Sequence, residues 1–201
     1  MSEIKTDKLS PRTGAGTVTL GTSGDSYTIP AGVTLTNAGT LTNSGTASGF
    51  GLFTSYAIIA DQKAQNTAGG TFTSGAWRTR DLNTEITDPD GIVSISTNQF
   101  TLAAGSYLIR WGASARRCDR HQTRLYDVTG TAEIEVGDCN YSYLSGAGGN
   151  FSRGSARVTP SGSNVYRIEH RCDTSSAADG LGLAVNYTTE QYCTVEIFKE
   201  A

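Results

Sequence analysis

Apolar and polar side chains alternate along most of the sequence after residue 51. In GSYLIRWGASA, Tyr107, Ile109 and Trp111 fall on one face of an extended chain, and NVYRIEHR repeats the pattern. An alternation with a period of two is typical of β-strands that are buried on one side. Such runs recur at intervals of about 8–15 residues, with turn signals such as DPDG between them. The pattern predicts an all-β protein of short antiparallel strands, arranged as a sandwich or jelly roll.

The predicted strands are rich in β-branched and aromatic residues, which favour extended structure. A short helix is an alternative for the first of them, within AIIADQKAQ. In chain order the segments are SYAIIA, GTFTSGAWRT, LNTEIT, IVSIS, QFTLA, GSYLIRWGASA, HQTRLYDV, AEIEV, RGSARVT, NVYRIEHR and CTVEIFKE.

The N-terminal region follows a different pattern, with a period of six residues. The segment 34–51 divides into TLTNAG, TLTNSG and TASGFG, and its large apolar residues are Leu35, Leu41 and Phe50. One chain with so few apolar groups does not offset a backbone entropy cost of about 1–2 kcal/mol per residue. The segment is therefore either a flexible linker or a stalk in which several copies share one core, and the strict register of Leu35 and Leu41 favours the stalk. We place the boundary near Gly51, with a stalk over residues 1–51 and a head over residues 52–201.

Composition narrows the classes of partner. The 201 residues include 24 Gly and only 4 Pro, and the net charge of −3 predicts no general attraction to nucleic acid or to anionic membranes. No stretch approaches the roughly 20 apolar residues of a membrane span. The first ten residues, MSEIKTDKLS, contain no apolar core of a secretory signal, so we expect synthesis in a cytoplasm.

Several stretches resemble the head domain of bacteriophage tail-fibre proteins. They are YAIIADQKAQNTAGGTFTSGAWRTRDLNTEITDPDGIVSISTNQFTLAAGSYLIRWGASA, RHQTRLYDV and the closing CTVEIFKE. The segment IKTDKLSPRTGAGTVTLGTSGDSYTIPAGVTLTNAGT is similar to the fibre shafts that precede such heads. The resemblance implies a trimeric jelly roll like that of the complement globular head and tumour necrosis factor. A trimeric head favours a trimeric stalk around Leu35, Leu41 and Phe50.

Four cysteines are present, and no two of them form a CxxC pair: Cys118, Cys139, Cys172 and Cys193. A zinc site built from Cys118, His121, His170 and Cys172 is disfavoured for two reasons. Residues three apart on a strand face opposite sides, so Cys118 and His121 diverge unless the chain turns between them. The neighbouring arginines also oppose a cation. We expect no metal and no cofactor.

The same cysteines are candidates for disulfides. If the strands alternate in direction from HQTRLYDV onward, all four cysteines fall at one end of the sandwich. In the jelly roll that the resemblance implies, HQTRLYDV and NVYRIEHR are neighbours, which brings Cys118 near Cys172. Cys139 and Cys193 would then form the second pair.

The longest connections are predicted to lie at the end far from the stalk: SARRCD, GDCNYSYLSGAGGNFS and CDTSSAADGLGLAVNYTTEQY. Long connections without regular structure are usually functional or disordered, and Tyr, Ser, Gly and Asn are typical of adaptable binding surfaces. We expect aromatic rings to stack on sugars, amides to bond hydroxyls and guanidinium groups to bind anions. The alternative is that the tyrosines pack within their own loops or at a trimer seam. The candidates are Tyr141, Tyr143, Phe151, Tyr187, Asn140, Asn150, Asn186, Arg116 and Arg117.

The expected function is that of a virion tail-fibre protein, synthesised in the host cytoplasm, whose homotrimeric head binds a host-surface glycan or another receptor. Its N-terminal side would attach to other phage tail proteins. We expect no enzymatic activity, no nucleic-acid partner and no membrane insertion. Two alternatives stay open. One is a tail-spike enzyme that cleaves glycans, for which Glu133 and Glu135 share a strand face. The other is a soluble trimeric jelly-roll lectin.

Overall fold

The computed structural model describes residues 52–145 and 148–200, with six isolated positions between residues 26 and 39. The chain divides into two units, Met1–Thr46 and Ala47–Ala201, and every strand described below belongs to the second unit. Leu35, Leu41 and Phe50 lie outside the described residues, so the stalk stays a prediction.

Twelve strands form from the described residues, and no helix does. Their bounds are β1 Phe53–Lys63, β2 Arg78–Thr79, β3 Thr84–Thr87, β4 Val93–Ser96, β5 Gln99–Leu102, β6 Tyr107–Arg116, β7 Asp119–Asp127, β8 Ala132–Val136, β9 Asn140–Ser142, β10 Gly149–Val158, β11 Asn164–Cys172 and β12 Glu190–Glu200.

The strands build two antiparallel sheets. The first sheet has the order β10-β6-β12-β1-β3. The second sheet has the order β4-β5-β11-β7-β8, with β2 added beside β11 and β9 beside β7. The chain crosses between the sheets several times, so that β12 returns beside β1 and β11 returns beside β5. This nesting of the last strands beside the first is the double Greek key of a jelly roll, so the predicted fold class is confirmed.

Most predicted strands are present, and some segments differ. AIIADQKAQ continues β1 and is not a helix. The prediction of a strand over GTFTSGAWRT is wrong, because this segment contains only the bridge from Phe72 to Ser176 and the two residues of β2. The last strand begins at Glu190, earlier than the predicted CTVEIFKE, and the short strand β9 has no counterpart among the predicted segments.

Strand register defines two ends of the sandwich. We call the end where Phe53 pairs with Glu200 the near end, and the end where Lys63 pairs with Glu190 the far end. Residues 64–77, 117–118, 137–139 and 173–189 connect strands at the far end. The connections 128–131 and 159–163 join strands at the near end. The three connections that the sequence predicted at one end therefore do lie at the same end. Residues 64–77 lie at that end as well.

The core changes character along the sandwich. Between the sheets, apolar side chains such as Ile109, Leu125 and Val195 are fully buried. Towards the far end the buried side chains become polar and charged, and both histidines lie among them. The far end is therefore held by specific polar contacts as well as by apolar packing.

Candidate functional site

Two far-end connections are fastened to each other by backbone hydrogen bonds. Phe72 and Ser176 exchange bonds of 2.8 and 2.9 Å, and the Gly69 N–H donates to the Gly182 carbonyl at 2.9 Å. A Cβ on Gly69 would lie 2.7 Å from the Leu181 carbonyl carbon, so the two segments touch too closely for any larger residue. Residues 64–77 and 173–189 thus form one cap over the far end.

A buried arginine ties this cap to both sheets. The Arg80 side chain is completely buried, and its backbone N–H donates to Ile168 of β11 in the second sheet. Its guanidinium donates to three carbonyl oxygens, each at 3.2 Å: Ser114 on β6, Tyr192 on β12 and Leu181 in the cap. A buried cation needs such partners because burial removes its hydration.

Sequence reasoning missed Arg80 as an interior residue. The signal that could have revealed it is strand alternation, because Leu82, two residues later, is apolar and buried. An alternating pattern read through Leu82 places Arg80 on the same face.

The two histidines form a buried pair beside Arg80. His121 Nδ1 and His170 Nε2 are 3.0 Å apart, so one ring nitrogen donates a hydrogen bond to the other. The remaining nitrogens, His121 Nε2 and His170 Nδ1, have no partner among the described groups. Burial, reinforced by the charge of Arg80, lowers the pKa of His121 to about 4. Burial, Arg80 and His121 together hold the pKa of His170 well below its ordinary range.

The arginines at the β6–β7 turn do not share one environment. Arg116 is 5% exposed, forms an ion pair with Asp179 and donates its backbone N–H to Gly180. It stabilises the cap from inside, and its predicted role in binding an external anion stays a prediction. Arg117 is exposed, and its backbone N–H donates to the Ser142 hydroxyl at 2.9 Å.

Two of the predicted asparagines, on β9 and β10, hydrogen-bond within the protein. Asn140 Nδ2 donates to the Phe151 carbonyl at 2.7 Å, and Asn150 Nδ2 donates to Asn140 Oδ1 at 2.6 Å. The same Asn140 oxygen also accepts the Tyr141 N–H at 2.9 Å. These amides hold β9 to the start of β10, and their predicted binding of sugar hydroxyl groups stays a prediction.

Three predicted tyrosines are exposed at the far end. Tyr141 is 44% exposed, and its hydroxyl donates to Asp119 at 3.0 Å. Tyr143 meets the Tyr141 ring edge-on, with centroids 4.9 Å apart, and is 72% exposed. Tyr187 is 88% exposed, whereas Phe151 is 39% exposed with the Arg153 guanidinium 5.0 Å above its ring. The rings of Tyr143 and Tyr187 are therefore the most accessible of the predicted aromatic groups.

The turn that carries Asn186 is held by a carboxylate. Glu190 accepts hydrogen bonds from the backbone N–H groups of Val185 at 3.0 Å, Asn186 at 2.8 Å and Asn66 at 3.3 Å. The bonds from Val185 and Asn186, followed by that from Asn66, lower the pKa of the Glu190 carboxyl. Asn186 adopts a φ of 64°, and its carbonyl accepts a bond from Gln65 at 2.6 Å. The backbone beneath Tyr187 is thereby positioned.

The structure brings one of the two proposed cysteine pairs together. Cys118 and Cys172 are buried side by side, and a hydrogen bond between their thiols raises the pKa of Cys118 and lowers that of Cys172. Strand register pairs Cys172 with His121, as expected for neighbouring β7 and β11. Cys139 is exposed, whereas Cys193 is 1% exposed in the core, so the second proposed pair does not meet. All four cysteines are free thiols.

The chain turns next to Cys118, so strand parity does not count against a zinc site here. Arg117 and Asp119 have positive φ angles of 53° and 58°, so the chain turns and buries both Cys118 and His121. Within the described ranges, however, no group of three His, Cys, Asp or Glu side chains is arranged to hold a metal ion.

We predict that Cys118 and Cys172 form a disulfide when the protein is exposed to air, because their thiols are already in contact and Cys172 is the more acidic of the two. Peptide mapping without reduction should recover the linked peptides, and reductant should lower the melting temperature. Cys139→Ser should leave both results unchanged. A linked Cys139–Cys193 peptide, or no link after prolonged oxidation, would contradict the prediction.

A groove of about 440 Å³ crosses the outer face of the second sheet at the far end. We call it the Trp77 groove. Strand β9 flanks it, because Arg120 in the groove pairs in register with Tyr141 of β9. Sequence reasoning did not select Trp77 or Arg171 for this site. Its lining includes Trp77, Arg120, Gln122, Cys139, Asn140 and Arg171.

The outer face of the first sheet carries an apolar row near the near end. Tyr56, Phe198 and Leu108 lie opposite one another in register, and Tyr56 is 46% exposed. Phe53 is 36% exposed, and its ring centroid lies 5.2 Å from that of Phe198.

Glu133, one of the two acids considered for glycan cleavage, is ion-paired with Arg124 at 2.9 Å.

Comparison with known proteins does not assign a family to this chain. No protein-family model matches the chain, and no curated protein sequence matches it. Similar solved structures include the globular domain of zebrafish complement 1qA protein, with 16% identity and a TM-score of 0.47 over 72% of this chain and 95% of that one. Murine APRIL matches with 7% identity and a TM-score of 0.45, over 72% and 98% of the two chains. Eiger TNF from S. frugiperda matches with 13% identity and a TM-score of 0.47, over 73% and 92%.

The class of protein is therefore defined by the structure itself. The chain contains an all-β jelly-roll domain, and this assignment rests on its strand order. The described residues contain no helix long and apolar enough to cross a membrane.

Proposed function

We propose that this chain is the receptor-binding tip of a bacteriophage tail fibre, and that it binds a glycan on the host-cell surface. The order of the sequence stretches that resemble tail-fibre heads supports this proposal. The observation that carries it is the far end of the sandwich, where exposed aromatic rings stand on connections that are fastened by buried polar contacts. Rigid aromatic groups on a fixed framework suit the apolar faces of sugars, because little side-chain entropy is lost on binding.

The proposal includes a homotrimer. The apolar row of Tyr56, Phe198 and Leu108 supports it, because these side chains remain partly exposed in the single chain. A second copy that covers this row would remove apolar surface from water, which is worth about 25 cal/mol per Å². The hexapeptide register of the N-terminal region supports the same assembly.

The remaining parts of the proposal follow from this role. The head acts by binding, without enzymatic activity or a cofactor, and the protein is synthesised in the host cytoplasm and carried on the virion. Other phage tail proteins attach on its N-terminal side. The ion pair between Glu133 and Arg124 favours a structural role for that carboxylate over a role in glycan cleavage.

The test is a cell-binding assay with far-end variants. Tyr143→Ala combined with Tyr187→Ala should lower binding to host cells at least tenfold, because the two side chains are largely exposed and contribute contact area to a receptor. Binding is measured with fluorescently labelled protein on whole cells and on extracted surface glycans.

The matched control is Ile134→Ala, which truncates an exposed apolar side chain on β8. All three proteins should give the mass of three chains in light scattering and nearly the same melting temperature. Undiminished binding by the tyrosine variant, or a stable monomer of the unaltered chain, would contradict the proposal.

A further inference from the structure

The Trp77 groove is built by cross-strand neighbours on the outer face of the second sheet. Arg171 of β11 pairs with Gln122 of β7. Arg78 pairs with His170, which places the preceding residue, Trp77, beside Arg171. Strands fix the relative positions of such side chains more tightly than loops do. The groove volume of about 440 Å³ falls within the usual range of small-ligand sites.

Arg171 carries the uncompensated charge of the groove. It is exposed, and within the described part of the chain its side chain has neither an ion pair nor a hydrogen bond. Other arginines on this outer face are paired: Arg120 with Asp173 at 2.5 Å and Arg167 with Glu169 at 2.6 Å. The groove therefore presents one free guanidinium fork, which matches the two oxygens of a carboxylate.

Trp77 supplies a fixed aromatic wall. The Arg124 guanidinium lies 4.3 Å from the centroid of the indole ring. Arg124 is itself held by Glu169 at 2.6 Å and by Glu133 at 2.9 Å. A charged network thus holds the ring in place, and binding does not need to order it.

The groove also offers hydrogen-bond acceptors of fixed orientation. Gln122 Nε2 donates to the Gly137 carbonyl at 2.9 Å, and no donor among the described groups reaches its Oε1. Asp173 accepts the Arg120 Nε–H through one carboxylate oxygen, Oδ2. Free acceptors beside an aromatic wall favour a ligand that carries hydroxyl groups.

We propose that the Trp77 groove binds an acidic sugar, a pyranose unit that bears a carboxylate. The carboxylate pairs with Arg171, the apolar face of the ring packs on Trp77, and hydroxyl groups donate to Gln122 and Asp173. This inference rests on the proposed glycan-binding function and names the chemical class that the far end selects.

The two tryptophans of the sequence provide a direct readout. Trp111 is 4% exposed, and its indole N–H donates to Thr123 at 2.8 Å, so only Trp77 borders the groove. A ¹⁵N spectrum of the intact protein should contain two indole signals, assigned with Trp77→Phe. The probes are the methyl glycosides of glucuronic, galacturonic and N-acetylneuraminic acid at millimolar concentration, with methyl glucoside and inorganic phosphate as comparisons.

We expect at least one acidic glycoside to shift the Trp77 signal alone, in a saturable manner, and at least tenfold more tightly than methyl glucoside. Arg171→Gln should remove this preference. Arg167→Gln, on the same strand and face but four residues closer to the near end, should retain it. No shift with any of the three acidic glycosides, or an equal shift in Arg171→Gln, overturns the inference. Phosphate binding as tight as that of the best sugar also overturns it, because the site would then select only charge.

Cell binding separates this inference from the proposed function. If Trp77→Phe with Arg171→Gln binds cells normally while the tyrosine variant does not, the groove inference fails and the proposed function stands. If neither variant changes cell binding, the proposed function itself fails.

Discussion

Replacement of Arg80 by methionine is expected to lower the free energy of unfolding by about 3–5 kcal/mol. Methionine fills a similar length but donates no hydrogen bond. The carbonyl oxygens of Ser114, Leu181 and Tyr192 would lose a buried donor at once. Leu181 belongs to the cap, so the cap should also open more often. Denaturant titration at fixed protein concentration, above pH 7 where both histidines are neutral, measures the loss.

Arg78→Met is the matched control, because it makes the same change two residues earlier in the chain. Arg78 is exposed, and its guanidinium donates to the carbonyls of Thr73 and Ser74, which water can also reach. Its cost should stay within about 1 kcal/mol. Hydrogen exchange of residues 64–77 and 173–189 should be faster in Arg80→Met and unchanged in Arg78→Met. Equal costs for the two variants would show that Arg80 is not the tie between the sheets.

The sandwich is expected to lose stability as the pH falls from about 6.5 towards 4. Both histidines are buried in neutral form, and their folded pKa values lie below the ordinary value of 6.5. Between the folded and unfolded pKa values the unfolded chain binds more protons, so acid favours unfolding. The stability that the two neutral histidines contribute is fully present above pH 6.5. His121 alone should lower the free energy of unfolding by roughly 3 kcal/mol by pH 4.

The histidines are the groups expected to lower stability between pH 6.5 and 5. They are the only two in the sequence, and carboxyl groups titrate mainly below pH 5. Asp61 acts in the opposite direction, because burial raises its pKa and its protonation favours the folded state at lower pH. Melting temperatures between pH 7.5 and 5 should therefore fall in the unaltered protein and fall less in His121→Gln. A melting temperature that stays constant over this range would contradict the prediction.

The sequence by itself determined most of the strands and the faces they bury. Alternation in GSYLIRWGASA and NVYRIEHR predicted β6 and β11, because side chains on successive strand residues point to opposite sides whatever the strand packs against. Strand direction, counted from β7 onward, also placed the three long connections at one end. With the resemblance, it placed Cys118 beside Cys172 as well. These inferences needed only local pattern and the order of the strands.

Only the tertiary structure decided what the far-end side chains do. The sequence around Arg116 predicts a group that can bind an external anion. In the structure Arg116 lies beside Asp179, which is 63 residues away in the chain. Residues 70–79 have strand-like composition, yet their partners are mainly in residues 173–189, because the backbone N–H groups of Gly70 and Phe72 donate to Ala178 and Ser176. Trp77 and Arg171 define a groove only after β2 is added beside β11. Contacts between distant segments depend on register and on which backbone groups still need partners, and local periodicity carries neither kind of information.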